Sequence, residues 1–318
     1  MTAIFNVFLL VIGFVFLLKG ADFLVDGAVG IARKFNIPTL VIGMTIVAFG
    51  TSAPEAAVSI TASLEGNNAI SYSNVIGSNI FNLLMVGGIC SIIRPLQIQK
   101  IAVTRDYPFH ILITAVLLVL CLDTVLADGQ TMLLSCGDGI ILLLLMCIFM
   151  YMNVKDGMNN PEEKEETQKK PSLTKNIILF IIGLAGVILG GNFVVDSGTV
   201  IAKLLGVSDT LIGLTIVAIG TSLPELVTSV VAGKKGEVDI AWGNIVGSNV
   251  FNILFVLGIS STLKSFVVDI QSIYDTVIAL GVSTIVYLLT AKSKRISKPV
   301  GALMVLTYIV YTVYIIMR

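Results

Sequence analysis

Charge is scarce in this sequence. Only 13% of its 318 residues are Asp, Glu, Lys or Arg, while 56% are hydrophobic, and the mean hydropathy is +0.97. That balance excludes an ordinary soluble domain, which needs far more polar surface. The 20 basic and 20 acidic side chains cancel, which gives no reason to expect a nucleic-acid partner. Histidine occurs once, as His110, which leaves no pair for metal binding and no Ser/His combination for nucleophilic catalysis. Its place at the head of an apolar run suggests an interfacial side chain. The four cysteines, Cys90, Cys121, Cys136 and Cys147, lie in or beside apolar runs without metal-ligand spacing, as packing thiols do. The opening "MTAIFNVFLL" has neither a basic n-region nor a small-residue cleavage site, so it reads as a first span.

What the chain has in abundance is long apolar runs, such as "FHILITAVLLVLCL" and "ALMVLTYIVYTVYIIM". At about 20 residues per bilayer crossing they amount to about ten spans. They lack the two-residue alternation of barrel strands and therefore predict helices. The fold class expected is an all-α polytopic membrane protein.

The runs repeat. With a displacement of 170 positions, "GADFLVDGAVGIARKF" (20–35) matches "GGNFVVDSGTVIAKLL" (190–205), and "GMTIVAFGTSAPE" (43–55) matches "GLTIVAIGTSLPE" (213–225). "SNVIGSNIFNLL" (73–84) matches "GNIVGSNVFNIL" (243–254). Unrelated apolar helices do not keep Gly, Thr, Ser, Pro, Glu and Asn in register, so the chain is duplicated. The expected organisation is a first five-helix repeat (1–152), a polar linker (153–175) and a second repeat (176–318). The linker's charged core, "KDGMNNPEEKEETQKKPSLTK" (155–175), belongs in water.

Five spans per repeat is an odd number, so the second repeat is expected upside down. With both termini outside, the cytoplasmic loops collect Arg33, Lys34, Arg94, Lys100, Arg105, the linker lysines, Lys234, Lys235, Lys292, Lys294, Arg295 and Lys298, leaving Lys203, Lys264 and Arg318 outside. That skew follows the positive-inside rule. Inverted repeats are an architecture of secondary transporters, which bind substrate where the repeats meet near the midplane.

Two motifs supply the chemistry. In "GTSAPE" (50–55), Pro54 lacks an N–H and opens the turn that would bond the carbonyl of Gly50. Thr51, Ser52 and Glu55 then gather hydroxyl, carbonyl and carboxylate oxygens on one face, and Thr221, Ser222 and Glu225 repeat the set. Oxygen ligands of this kind suit a hard cation such as Ca²⁺, or Na⁺. In "GSNIFN" (77–82) and "GSNVFN" (247–252), Ser78 with Asn82 and Ser248 with Asn252 are four apart and share a face. Asn79 and Asn249 point elsewhere. Small polar residues in membrane helices commonly serve as packing glue, but intramembrane carboxylates are expensive and mark a pathway. Asp22, Asp26 and Asp196 fall towards helix ends and are set aside.

Together the duplicated motifs resemble the cation/calcium exchanger superfamily, most closely the prokaryotic sodium/calcium exchangers, over essentially the whole chain. The resemblance implies ten helices and a Na⁺/Ca²⁺ antiporter of the plasma membrane, a multi-pass protein with its termini outside and its central loop cytoplasmic. It implies that Glu55 and Glu225 bind Ca²⁺ and share the Na⁺ sites. Thr51, Thr221, Ala48 and Ala218 would lend carbonyl oxygens, Ser52, Ser222, Ser78 and Ser248 hydroxyls, and Asn82 an amide oxygen. Many relatives have Asp where this chain has Asn252, which removes a third carboxylate. No cofactor is expected, no enzymatic activity and no obligate protein partner, only the ions and the lipid bilayer. Ca²⁺/H⁺ exchange on the same fold is the alternative, since two buried glutamates could carry protons.

Overall fold

Backbone in lipid must be satisfied within the protein, and the long elements here are accordingly helices. The computed structural model describes residues 2–126, 131–159, 172–206 and 218–318. The first repeat comprises α1 (Thr2–Phe35), α2 (Thr39–Thr51), α3 (Ala53–Glu65), α4 (Ile70–Ile93), α5 (Ala102–Asp123) and α6 (Cys136–Asn159). The second comprises α7 (Leu173–Leu204), α8 (Ala218–Gly220), α9 (Leu223–Lys235), α10 (Val238–Leu263), α11 (Ile270–Ala291) and α12 (Lys298–Met317). Among the described residues, eight helices are long and apolar enough to cross a membrane. The bent pair α2–α3 is long and apolar enough to make a ninth when counted as one span. The predicted linker lies mostly outside the described residues; its edges are helical, since α6 continues to Asn159 and α7 begins at Leu173.

The bend has a local cause. α2 and α3 meet at 50°, with Ser52 between them at φ −82°, ψ 6° and Pro54 in the first turn of α3, where a missing N–H costs nothing. In the second repeat Ser222 has φ −94°, ψ 6° before Pro224. The helices that follow end alike, at Gly66 with φ 87° and Gly236 with φ 90°, left-handed positions that glycine takes without strain. Two stretches of the same sequence pattern therefore adopt the same backbone.

The inversion is visible in how equivalent helices meet. Along α1, a Cβ built on Gly13, Gly20 or Gly27 would reach α7 near Gly190, Val187 and Phe180 respectively. Rising numbers on one helix face falling numbers on its repeat partner, so α1 and α7 run antiparallel. Two short antiparallel ladders repeat the relationship: β1 (Leu96–Gln97) pairs with β4 (Arg295–Ile296), and β2 (Leu133–Leu134) with β3 (Phe266–Val267). Each repeat gives one strand to each ladder.

Burial separates centre from periphery. In α4 and α10, 72% and 83% of the apolar window is buried, against 17% to 39% in the six other long helices. The outer helices carry Phe5, Leu144, Leu306 and many other exposed apolar side chains, as a surface solvated by lipid tails requires. The second motif of each repeat therefore falls on the most buried of the long helices.

Candidate ion site

Glu55 and Glu225 stand in the first turns of α3 and α9, just past the two bends, and both are fully buried. Each is bonded by a hydroxyl of the opposite repeat. Ser222 Oγ donates to Glu55 Oε1 and Ser52 Oγ donates to Glu225 Oε1, both at 2.8 Å. Ser222 also lies 3.1 Å from Ser78 Oγ, and Ser248 Oγ lies 3.5 Å from Glu225 Oε1. Six of the predicted residues, three from each repeat, are thus joined in two triads, each of which draws on both repeats.

The oxygens left over face one another's chemistry without a protein donor. Oε2 of Glu55, Oε2 of Glu225 and Oδ1 of Asn82 and Asn252 are buried and have no hydrogen-bond partner. Such groups are costly in a low-dielectric interior and call for a cation or ordered water. Among the described residues, the hydrogen bonds to these carboxylates come from serine hydroxyls and not from a basic side chain. The donor atoms here are carboxylate, amide and hydroxyl oxygens, a set that fits a hard cation rather than a transition metal.

The remaining predicted residues distribute as follows. Thr51 is fully buried and its hydroxyl donates to Asn244 Oδ1 at 3.0 Å. The Ala48 carbonyl accepts from Ser52 N–H at 3.0 Å. Thr221 is 9% exposed. Ala218 begins α8, and the side chain falls outside what is described.

Several residues behind the site escaped the motif reading. Asn244 Nδ2 donates to Ser229 Oγ at 3.0 Å, and Asn74 Nδ2 donates to Ser59 Oγ at 2.9 Å. The two pairs obey the same 170-residue displacement as the motifs, which was the signal available for finding them. His110 is a correction. It is 2% exposed and within 3.5 Å of Asn249 Nδ2, with Nδ1 unpartnered. It sits in the core because α5 packs inward there, stacked on Tyr107, and not at the interface.

Comparison with known proteins bears on the family and the fold. The family described as "Sodium/calcium exchanger protein" matches residues 5–155 and 175–317. The inner membrane protein YrbG of Escherichia coli (strain K12) is 36% identical over 319 residues, covering 95% of this chain and 94% of its own. The sodium/calcium exchanger MaX1 of Methanosarcina acetivorans is 28% identical, with 97% of each chain covered. A structure of the sodium-calcium exchanger NCX_Mj soaked with 10 mM Na⁺ and zero Ca²⁺ superposes with a TM-score of 0.84 at 34% identity, covering 97% of this chain and 98% of that one.

Proposed function

This chain belongs to the sodium/calcium exchanger protein family and exchanges Na⁺ for Ca²⁺ as a multi-pass membrane antiporter; from that premise we propose that the Glu55–Glu225 centre is the shared ion site. The observation that carries the assignment is the set of four buried, unpartnered oxygens flanked by the two carboxylates' cross-repeat serine bonds. The ligands are Glu55, Glu225, Ser52, Ser222, Ser78, Ser248, Asn82 and Asn252, with the carbonyls of Thr51, Thr221, Ala48 and Ala218.

A Ca²⁺ ion entering this site neutralises two formal charges, and Na⁺ ions entering from the other face offset them in its stead. Neither state leaves the carboxylates bare in lipid. Because ions compete for one set of oxygens, loading from one face must precede release to the other. That is antiport by alternating access around a midplane site. Asn252 in place of a third carboxylate limits the site's charge to what one Ca²⁺ balances, so no K⁺ is needed alongside it.

The test is Ca²⁺ uptake into proteoliposomes loaded with Na⁺. Uptake is expected to proceed in K⁺-free buffer and to collapse when internal Na⁺ is replaced by choline. Uptake driven by an imposed pH gradient without Na⁺ would establish the Ca²⁺/H⁺ alternative. An absolute K⁺ requirement would show that a residue outside this set holds K⁺.

Orientation follows from the charge skew and from the inverted halves. The protein lies in the plasma membrane with both termini outside and the 153–175 linker in the cytoplasm, between a first repeat of 1–152 and a second of 176–318. Cysteines introduced at Glu65 and Asn160 are expected to react with an impermeant thiol reagent from opposite sides. Labelling from the same side contradicts the inverted topology.

A further inference from the structure

Asn79 and Asn249 lie inside the second motif yet have no part in the ligand set. They occupy equivalent places on α4 and α10 and are 4% and 1% exposed. Each side-chain Nδ2 donates to the other's backbone carbonyl, 3.2 Å in both directions. Immediately beyond them the helices widen into π turns, Phe81–Val86 and Asn252–Leu257. A π turn puts the backbone ladder out of step, so a carbonyl beside it benefits from a donor elsewhere. Here the opposite repeat supplies it.

The pair is not quite symmetric. Asn79 Oδ1 also accepts from Asn252 Nδ2 at 3.2 Å, whereas Asn249 Oδ1 and both amide atoms of Asn82 have no partner. An amide whose nitrogen is held must present its oxygen, and only the oxygen can bind a cation. We propose that Asn79 is a positioning residue that holds the Asn252 amide with its oxygen free for the transported ion, while Asn79 and Asn249 together bolt α4 to α10. The inference rests on Asn252 being an ion ligand.

Helix glue alone would also explain a reciprocal pair, so the test separates the two roles. Na⁺-driven Ca²⁺ uptake is measured for Asn252→Ala, Asn79→Ala, Asn249→Ala and the Asn79→Ala/Asn252→Ala double variant. Asn252→Ala is expected to raise the apparent KM for Ca²⁺ about tenfold, the scale of a bond to a charged group. Asn79→Ala should reproduce most of that rise, and the double variant should be no worse than Asn252→Ala. Asn249→Ala removes half the bolt but spares the Asn79–Asn252 bond. It should lower thermal stability as Asn79→Ala does while moving KM by less than about threefold. Equal KM shifts for Asn79→Ala and Asn249→Ala, or multiplying effects in the double variant, overturn the proposal. If Asn252→Ala itself leaves KM unchanged, the site assignment fails first and the proposal with it. Should Asn79→Ala not reach the membrane, Asn79→Ser is measured in its place.

A second inference concerns the two ends of the molecule. Lys235, the last residue of α9, lies 2.7 Å from Asp26 and 3.4 Å from Asp22, and donates to the Asp22 carbonyl at 2.9 Å. The repeat equivalents of Lys235, Asp22 and Asp26 are Glu65, Asn192 and Asp196. All three are exposed. α9 packs along α1, but among the described residues α3 has no comparable packing on α7. Thr228 and Val231 are accordingly 0% and 8% exposed, while their equivalents Val58 and Thr61 are exposed, Val58 by 38%.

One end is closed by opposite charges; closing the other would bring Glu65 towards Asp196. We infer that this charge difference is a latch favouring the conformation closed at Lys235 and open at Glu65. The experiment uses a background with the four native cysteines replaced and single cysteines at Val231 or Thr61. Lys235→Glu is expected to speed modification of the Val231 cysteine by a charged thiol reagent about fivefold, the scale of exposed ion pairs. Glu65→Lys should slow modification at Thr61 to a similar degree. Unchanged rates in either variant overturn the latch. Lys235→Gln substitutes if the glutamate form is not inserted.

Discussion

Exchanging Glu55 or Glu225 for glutamine is expected to abolish Na⁺-driven Ca²⁺ uptake while leaving the protein inserted and folded. Glutamine preserves the shape, and its Oε1 can still accept the serine hydroxyl that reaches each carboxylate at 2.8 Å. What it removes is one of the two formal charges that offset the dehydration of a divalent ion. Uncompensated charge in such a setting costs about 3–5 kcal/mol, equivalent to about two to three and a half powers of ten in Ca²⁺ affinity. Without ion, the folded protein should be no less stable, because two like charges buried together oppose folding. Thermal unfolding in detergent and Ca²⁺ flux in proteoliposomes, measured on the same preparations, check both halves of the expectation. Near-normal flux in either variant would reduce that carboxylate to a structural group.

Gly183→Ala is expected to be disruptive out of proportion to one methyl group. α1 and α7 approach so closely that a Cβ at Gly183 would meet the backbone of Leu24 and lie 2.7 Å from the Gly20 carbonyl oxygen. No side chain can yield there, so the helices must move apart along their length. Overpacking of this kind costs about 1–3 kcal/mol. Separated helices also lose the dispersion contacts that hold membrane helices together in place of a hydrophobic driving force. Gly281→Ala is the matched control, since nothing stands within 4 Å of its built Cβ. Replacing a helical glycine where space is open is worth about 0.5–1 kcal/mol in the opposite sense. Thermal stability should therefore fall for the first and hold or rise for the second, with transport following the helix contact. Equal stability of the two variants would mean that the α1–α7 approach is looser than described.

Much of this protein was legible from residues in order. Span length and apolar content are properties of a segment, so the helices follow from composition and bilayer thickness. The bend before Glu55 follows from a missing N–H at Pro54, and the duplication follows from polar residues kept in register. The candidate ligands could be named for the same reason: a carboxylate in lipid is anomalous wherever it packs. Partnership was not legible. That Ser52 serves Glu225 and Ser222 serves Glu55, rather than each its own neighbour, depends on how two inverted halves cross, which periodicity along one helix does not encode. The burial of His110 beside Asn249, the reciprocal bonds of Asn79 and Asn249, and the pairing of Lys235 with Asp22 and Asp26 have the same origin. Each joins residues more than a hundred positions apart, and such contacts exist only once helices have chosen their neighbours through close packing.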